Sequence, residues 1–136
     1  MAVASPVASR PDASGSLVRV SGLRGAAVWA RGRFRTPLGE VPVDEGLAAR
    51  LMESSDLIEV SEPAHAEEHS LEVELPFLQR ILPEFSIVPL LLNTEEPEIA
   101  CTVGAAAAEA LRGREKESLI VVSSELPEVL ALADRV

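Results

Sequence analysis

Apolar residues fall into short runs separated by Pro- and Gly-containing breaks, and the period of each run predicts an element. Leu17, Val18 and Val20 form a weak strand candidate. Ala26 to Trp29 form a second, with Gly22, Gly25 and Gly32 punctuating the region. Arg33 to Val43 reads as two short extended arms joined by a turn at Pro37 to Gly39, and Pro42 restricts the second arm to an edge or irregular strand. Asp44 has the character of a helix N-cap, because its carboxylate can accept a bond from a first-turn N–H. Leu47, Ala48, Leu51 and Met52 then recur at helical spacing, and Ser54 to Asp56 end that helix. Leu57 to Val60 alternates weakly, as a strand would.

The segment from Ala64 to Leu82 carries Leu71, Leu75, Leu78 and Leu82 on one helical face, which predicts a helix kinked or restarted at Pro76 and ended by Pro83. Ser86 to Leu92 is nearly continuous in apolar residues, as expected of a strand covered on both faces. Pro97 suits the first turn of a further helix, whose small-residue face is Ile99, Val103, Ala106, Ala107, Ala110 and Leu111. Gly113 suits its end. Ser118 to Val122 is a second candidate buried strand, and Leu126 to Val136 a candidate final helix. Alternating strands and helices predict one α/β domain over residues 17–136 with a mostly parallel sheet flanked by helices. Ser86 to Leu92 and Ser118 to Val122 are expected to be adjacent parallel strands joined by the helix between them. The first 16 residues, rich in Ala, Ser and Pro, are expected to form a disordered tail.

Composition narrows the function classes. Of 136 residues 47% are hydrophobic but only 3% aromatic, so the core must be built from Val, Leu, Ile and Ala. The formal net charge of −10 repels phosphate backbones and argues against nucleic-acid binding. No basic cluster adjoins an apolar helix and no apolar run approaches the roughly 20 residues that cross a bilayer, so no membrane role is expected. Cys101 is the only cysteine, which excludes an intrachain disulfide and fits a cytoplasmic setting. Its place on an Ala-rich helix predicts a buried, inert thiol.

Candidate chemistry is concentrated in His65-Ala66-Glu67-Glu68-His69, which holds both histidines of the chain. On a continuous helix the two imidazoles would share a face, and the string fits the H-x-x-E-H pattern in which Glu68 would be the general base of a zinc protease. Pro63 argues against a long helix before it, and a third ligand is not evident. Alternatively Glu67, Glu68 and His69 form a solvated acidic first turn, favoured by the helix dipole, with Ser70 as a cap. Ser123 and Ser124 follow an expected buried strand, at the carboxyl end where α/β sheets place ligands. Neither a phosphate-binding Gly-rich loop nor a G-x-S-x-G elbow is present.

Two stretches together resemble one family. They are Phe34-Arg35-Thr36-Pro37-Leu38-Gly39-Glu40-Val41-Pro42-Val43-Asp44 and Glu68-His69-Ser70-Leu71-Glu72-Val73-Glu74-Leu75-Pro76-Phe77-Leu78, the latter followed by Phe85-Ser86-Ile87-Val88-Pro89. They are similar to the Memo-like family, also called AmmeMemoRadiSam system protein B. The resemblance implies a partial α/β sandwich related to class III extradiol dioxygenases, which open catechol rings with non-haem iron and dioxygen. It also implies that His69 lines a pocket as an acid/base or oxygen-binding group, with Glu68 beside it and Ser123 and Ser124 at the start of an S-S-D-x-S-H motif. In this chain that motif reads Ser123-Ser124-Glu125-Leu126-Pro127-Glu128, without histidine. The histidine-bearing H-A-G-Y segment of the family is absent, as is a histidine near Leu17 to Ser21. The expectation is therefore a truncated relative, incomplete at both ends. It should lack the non-haem iron or copper of intact relatives and act as a binding or partner protein for a small molecule or another protein. The alternative is a metal-dependent redox enzyme completed by another chain. Exposed sheet edges would favour self-association and low stability.

Overall fold

A computed structural model describes residues 22–66 and 70–122. The elements are β1 (Ala26–Val28), β2 (Arg33–Thr36), β3 (Gly39–Pro42), α1 (Glu45–Ser54), β4 (Ile58–Val60), α2 (Glu62–His65), α3 (Ser70–Ile81), β5 (Leu90–Leu92) and α4 (Pro97–Ala110), followed by a 3-10 turn at Glu115–Glu117. β1 is the centre of a three-stranded sheet ordered β4-β1-β5. It pairs with β4 in parallel and with β5 antiparallel. β2 and β3 form a separate antiparallel hairpin in which Phe34 lies opposite Val41.

The two-residue period of β1 sends alternate side chains to opposite faces. Ala26 and Val28 face the larger core cluster with Leu90, and Ala27 faces the smaller one with Leu91. On the first face lie α1 and α4. Leu47, Ala48 and Leu51 of α1 meet Val103, Ala106, Ala107 and Ala110 of α4, and the alanines let the two helices approach closely. Ser54 closes the contact by donating its hydroxyl to the carbonyls of Leu51 at 2.7 Å and Ala106 at 3.2 Å. On the second face, among the described buried residues, Ala64 of α2 and Leu23 pack with Ala27 and Leu91. A third cluster joins Val41 of the hairpin to Leu71 and Leu75 of α3 and to Ile87.

Local signals explain most element ends. Asp44 caps α1 by accepting from the Leu47 N–H at 2.9 Å. Pro97 stands at the start of α4, and Gly113 beyond its end adopts φ of +83°, a left-handed conformation that favours glycine. Gly25 is required for a different reason: a Cβ there would overlap the Leu57 carbonyl, and the neighbouring Ala26 N–H donates to that same carbonyl at 2.8 Å. Buried Asn93 ties β5 to the approach to β1, donating its side-chain amide to the Leu23 carbonyl at 2.9 Å. Pro76 lies inside α3, where its missing N–H removes the bond it would have made to the Glu72 carbonyl. Leu71 and Leu75 are buried as the leucine face predicts. Val73, Phe77 and Ile81 form an opposite stripe that is exposed.

Four expectations are corrected. The sheet is mixed, not mostly parallel, because β5 runs against β1. The strand expected over Ser86 to Leu92 is confined to Leu90–Leu92, and Ile87 makes only an isolated bridge to Val43. Ser118 to Val122 is not a strand beside it. β5 pairs with β1 alone among the described strands, Leu119, Ile120 and Val122 are exposed, and Val121 packs against the α3 cluster instead. Cys101 is exposed: it lies on the outer side of α4, whose buried side is Val103, Ala106, Ala107 and Ala110. The expected tail, the first strand candidate and the final helix candidate lie outside the described residues.

Candidate binding pocket

Trp29 directly follows β1, where its backbone N–H donates to the Pro89 carbonyl at 3.0 Å and so joins it to the approach to β5. Its indole N–H donates to the Arg31 carbonyl at 2.8 Å, which fixes the ring. Phe34, on β2, meets the indole edge-on with centroids 5.8 Å apart, and His65, at the end of α2, meets it at 5.7 Å and 84°. Two rings that flank the turn between β1 and β2 thus meet a third, His65, from a segment about thirty residues further on. They line a cavity of about 530 Å³, with the carboxylates of Glu62 and Glu72 and the apolar surfaces of Pro63, Ala66, Leu71 and Pro89. That volume is within the range of small-molecule sites, roughly 300–1,000 Å³.

His65 is held as well as exposed to this cavity. Its Nε2 lies 3.1 Å from the Ala27 carbonyl oxygen. A carbonyl can only accept, so Nε2 carries the proton in this contact. The bond ties α2, only four residues long with Pro63 in its first turn, to the central strand. His65 is thus both a tether of α2 and part of the cavity wall.

Glu68, His69, Ser123 and Ser124 lie outside the described residues, so the pocket residues implied by the resemblance are not among those placed. Among the described residues, no group of three or more His, Cys, Asp or Glu side chains is arranged to hold a metal ion. His65, Glu62 and Glu72 line one cavity without forming such a group. No described helix is long and apolar enough to cross a membrane. A second hollow, of about 640 Å³, lies between the hairpin and the end of α3. Its one strand carboxylate, Glu40, is engaged by Arg33 at 2.8 Å and Arg35 at 3.1 Å, which hold its pKa below the ordinary carboxylate range.

The sequence drew attention to the histidine pair and missed Trp29 and Phe34. The available signal was scarcity: with one tryptophan and three phenylalanines in the chain, two aromatics flanking one glycine-marked turn were worth pairing.

Residues 20–131 match the family described as Memo-like protein. A MEMO1 family protein of Sulfolobus acidocaldarius is 34% identical over 101 residues, covering 74% of this chain and 36% of the relative. A MEMO1 family protein of Thermotoga neapolitana is 39% identical over 99 residues, covering 73% and 35%. One of Saccharolobus islandicus is 35% identical over 99 residues, covering 72% and 35%. The chain thus spans about one third of the length of these relatives. No solved structure matches it significantly.

Proposed function

The chain belongs to the Memo-like family, and from that premise we propose that it is a non-catalytic binding member, which takes a small ligand in the pocket centred on Trp29. The observation that carries this reading is the convergence of Trp29, Phe34 and His65 on one cavity of small-molecule size. In this proposal binding occurs without oxygen chemistry. His65 orients the ligand and keeps α2 against the sheet, and His69 contributes as the family resemblance implies.

Calorimetry of the full chain with zinc and with iron(II), alongside His65→Ala and His69→Ala variants, tests the non-catalytic part. Binding weaker than micromolar for both metals is expected. Submicromolar binding lost in both variants would overturn the proposal in favour of a metal-dependent redox enzyme.

A further inference from the structure

We infer that the Trp29 pocket selects a small organic cation, an alkylammonium or quaternary ammonium group, a conclusion that rests on the pocket being a binding site. Ring faces carry negative electrostatic potential and attract cations, and Trp is the strongest attractor among them. Here the indole is flanked by two further rings: Phe34 is inclined to it at 62° and His65 at 84°. Steeply inclined neighbours turn their faces in different directions, so an ammonium group entering among them can meet more than one π surface. Among the described residues, the charged ones on the wall are Glu62 and Glu72, and none is Lys or Arg. An anion entering this space would meet two carboxylates and no described cationic partner. A neutral apolar ligand would gain contact with Leu71 and Pro89 but nothing from the carboxylates. The surrounding charge acts in the same direction, with a formal net charge of −10 on the whole chain.

Trp29 is the only tryptophan, so its emission reports the pocket without labelling. The full chain is titrated with three probes of nearly equal shape: choline, its neutral carbon analogue 3,3-dimethylbutan-1-ol, and 3,3-dimethylbutyrate. Choline is expected to shift the emission saturably and to bind roughly 5- to 25-fold more tightly than the alcohol, with the carboxylate weakest. Phe34→Leu should lower choline affinity towards that of the alcohol. Glu62→Gln, at an exposed position that does not threaten folding, should weaken choline roughly 2- to 5-fold and leave the alcohol unchanged. Equal binding of choline and the alcohol, or tightest binding by the carboxylate, would overturn the cation inference while leaving the pocket intact. No response to any probe, by emission and by calorimetry, would overturn the pocket reading and the inference together.

Discussion

Replacing Asp44 tests how the two halves of the fold are joined. Among the described residues its carboxylate has two hydrogen-bond partners: Oδ1 accepts from the Leu47 N–H at 2.9 Å and Oδ2 accepts from the Arg114 guanidinium at 2.9 Å. Its backbone N–H also donates to the Ile87 carbonyl at 2.9 Å. One residue therefore starts α1, anchors the segment after α4 and touches the approach to β5. Loss of an N-cap costs about 1 kcal/mol. The ion pair is only partly screened, with Asp44 19% and Arg114 39% exposed, and is worth at most about 1 kcal/mol. Asp44→Ala should then lose about 2 kcal/mol in urea unfolding. Asp44→Asn keeps a capping oxygen and should lose about half of that. Arg114→Ala should match the Asn variant, and combining the two should add little, because both remove the same pair.

The pH dependence has a definite sign. Partial burial disfavours the Asp44 carboxylate, but the Leu47 N–H and the Arg114 guanidinium outweigh burial and hold its pKa below the ordinary value. A carboxyl with a depressed native pKa contributes stability that is full above the unfolded pKa, about 3.9. That contribution is lost as pH falls through the native value. The gap between wild type and Asp44→Asn should be full at pH 7 and close on acidification below about pH 4. An Asp44→Ala protein within about 0.5 kcal/mol of wild type, or an Asn gap that widens in acid, refutes the reasoning.

Leu75→Ala, at a fully buried position, should cost about 2–5 kcal/mol, whereas Phe77→Ser, two residues on at 70% exposure, should change unfolding by less than about 0.5 kcal/mol. Equal effects in chemical denaturation would mean that α3 packs on its other face. Gly25→Ala should cost on the order of 2 kcal/mol, since its Cβ meets backbone that cannot rotate away; an unchanged melting temperature would contradict the close approach of Gly25 and Leu57. Exposed Cys101 should react fully with a thiol reagent in the native state, at a rate close to that in denaturant. Protection until unfolding would restore the buried thiol.

Much of the fold was legible because it depends on local chemistry. The Asp44 cap, the turn after Thr36, the Leu71 and Leu75 face and the Pro97 helix start each follow from residues within a few positions of one another. What failed was pairing. Ser118 to Val122 has strand composition, but an apolar run becomes a strand only beside an edge with which it can bond, and composition cannot name that edge. The antiparallel run of β5 against β1 was hidden for the same reason. Cys101 was misread because Ala100, Cys101 and Val103 are similar in hydropathy, and only the partner α1 decides which side of an alanine-rich helix turns inward. The family resemblance was carried by two motifs that were legible outright, and the match over residues 20–131 agrees with it.

The position of the cavity follows from an asymmetry between the two faces of the sheet. On the α1 and α4 side the described buried cluster, strand residues included, holds thirteen residues. On the other side, among the described residues, the buried set is Leu23, Ala27, Ala64 and Leu91, and the helix that contributes to it is α2, of four residues. Such a short helix cannot sustain itself, because nucleation fixes several residues for the first bond. It depends on its attachments: Ala64 under the sheet and the His65 bond to the Ala27 carbonyl. Beside α2 lies the cavity lined by Trp29, Phe34, His65, Glu62 and Glu72. His65 is both an attachment of α2 and part of the cavity lining. Occupying the cavity should stabilise α2 through the same residue that holds it, coupling ligand affinity to the local opening of this face.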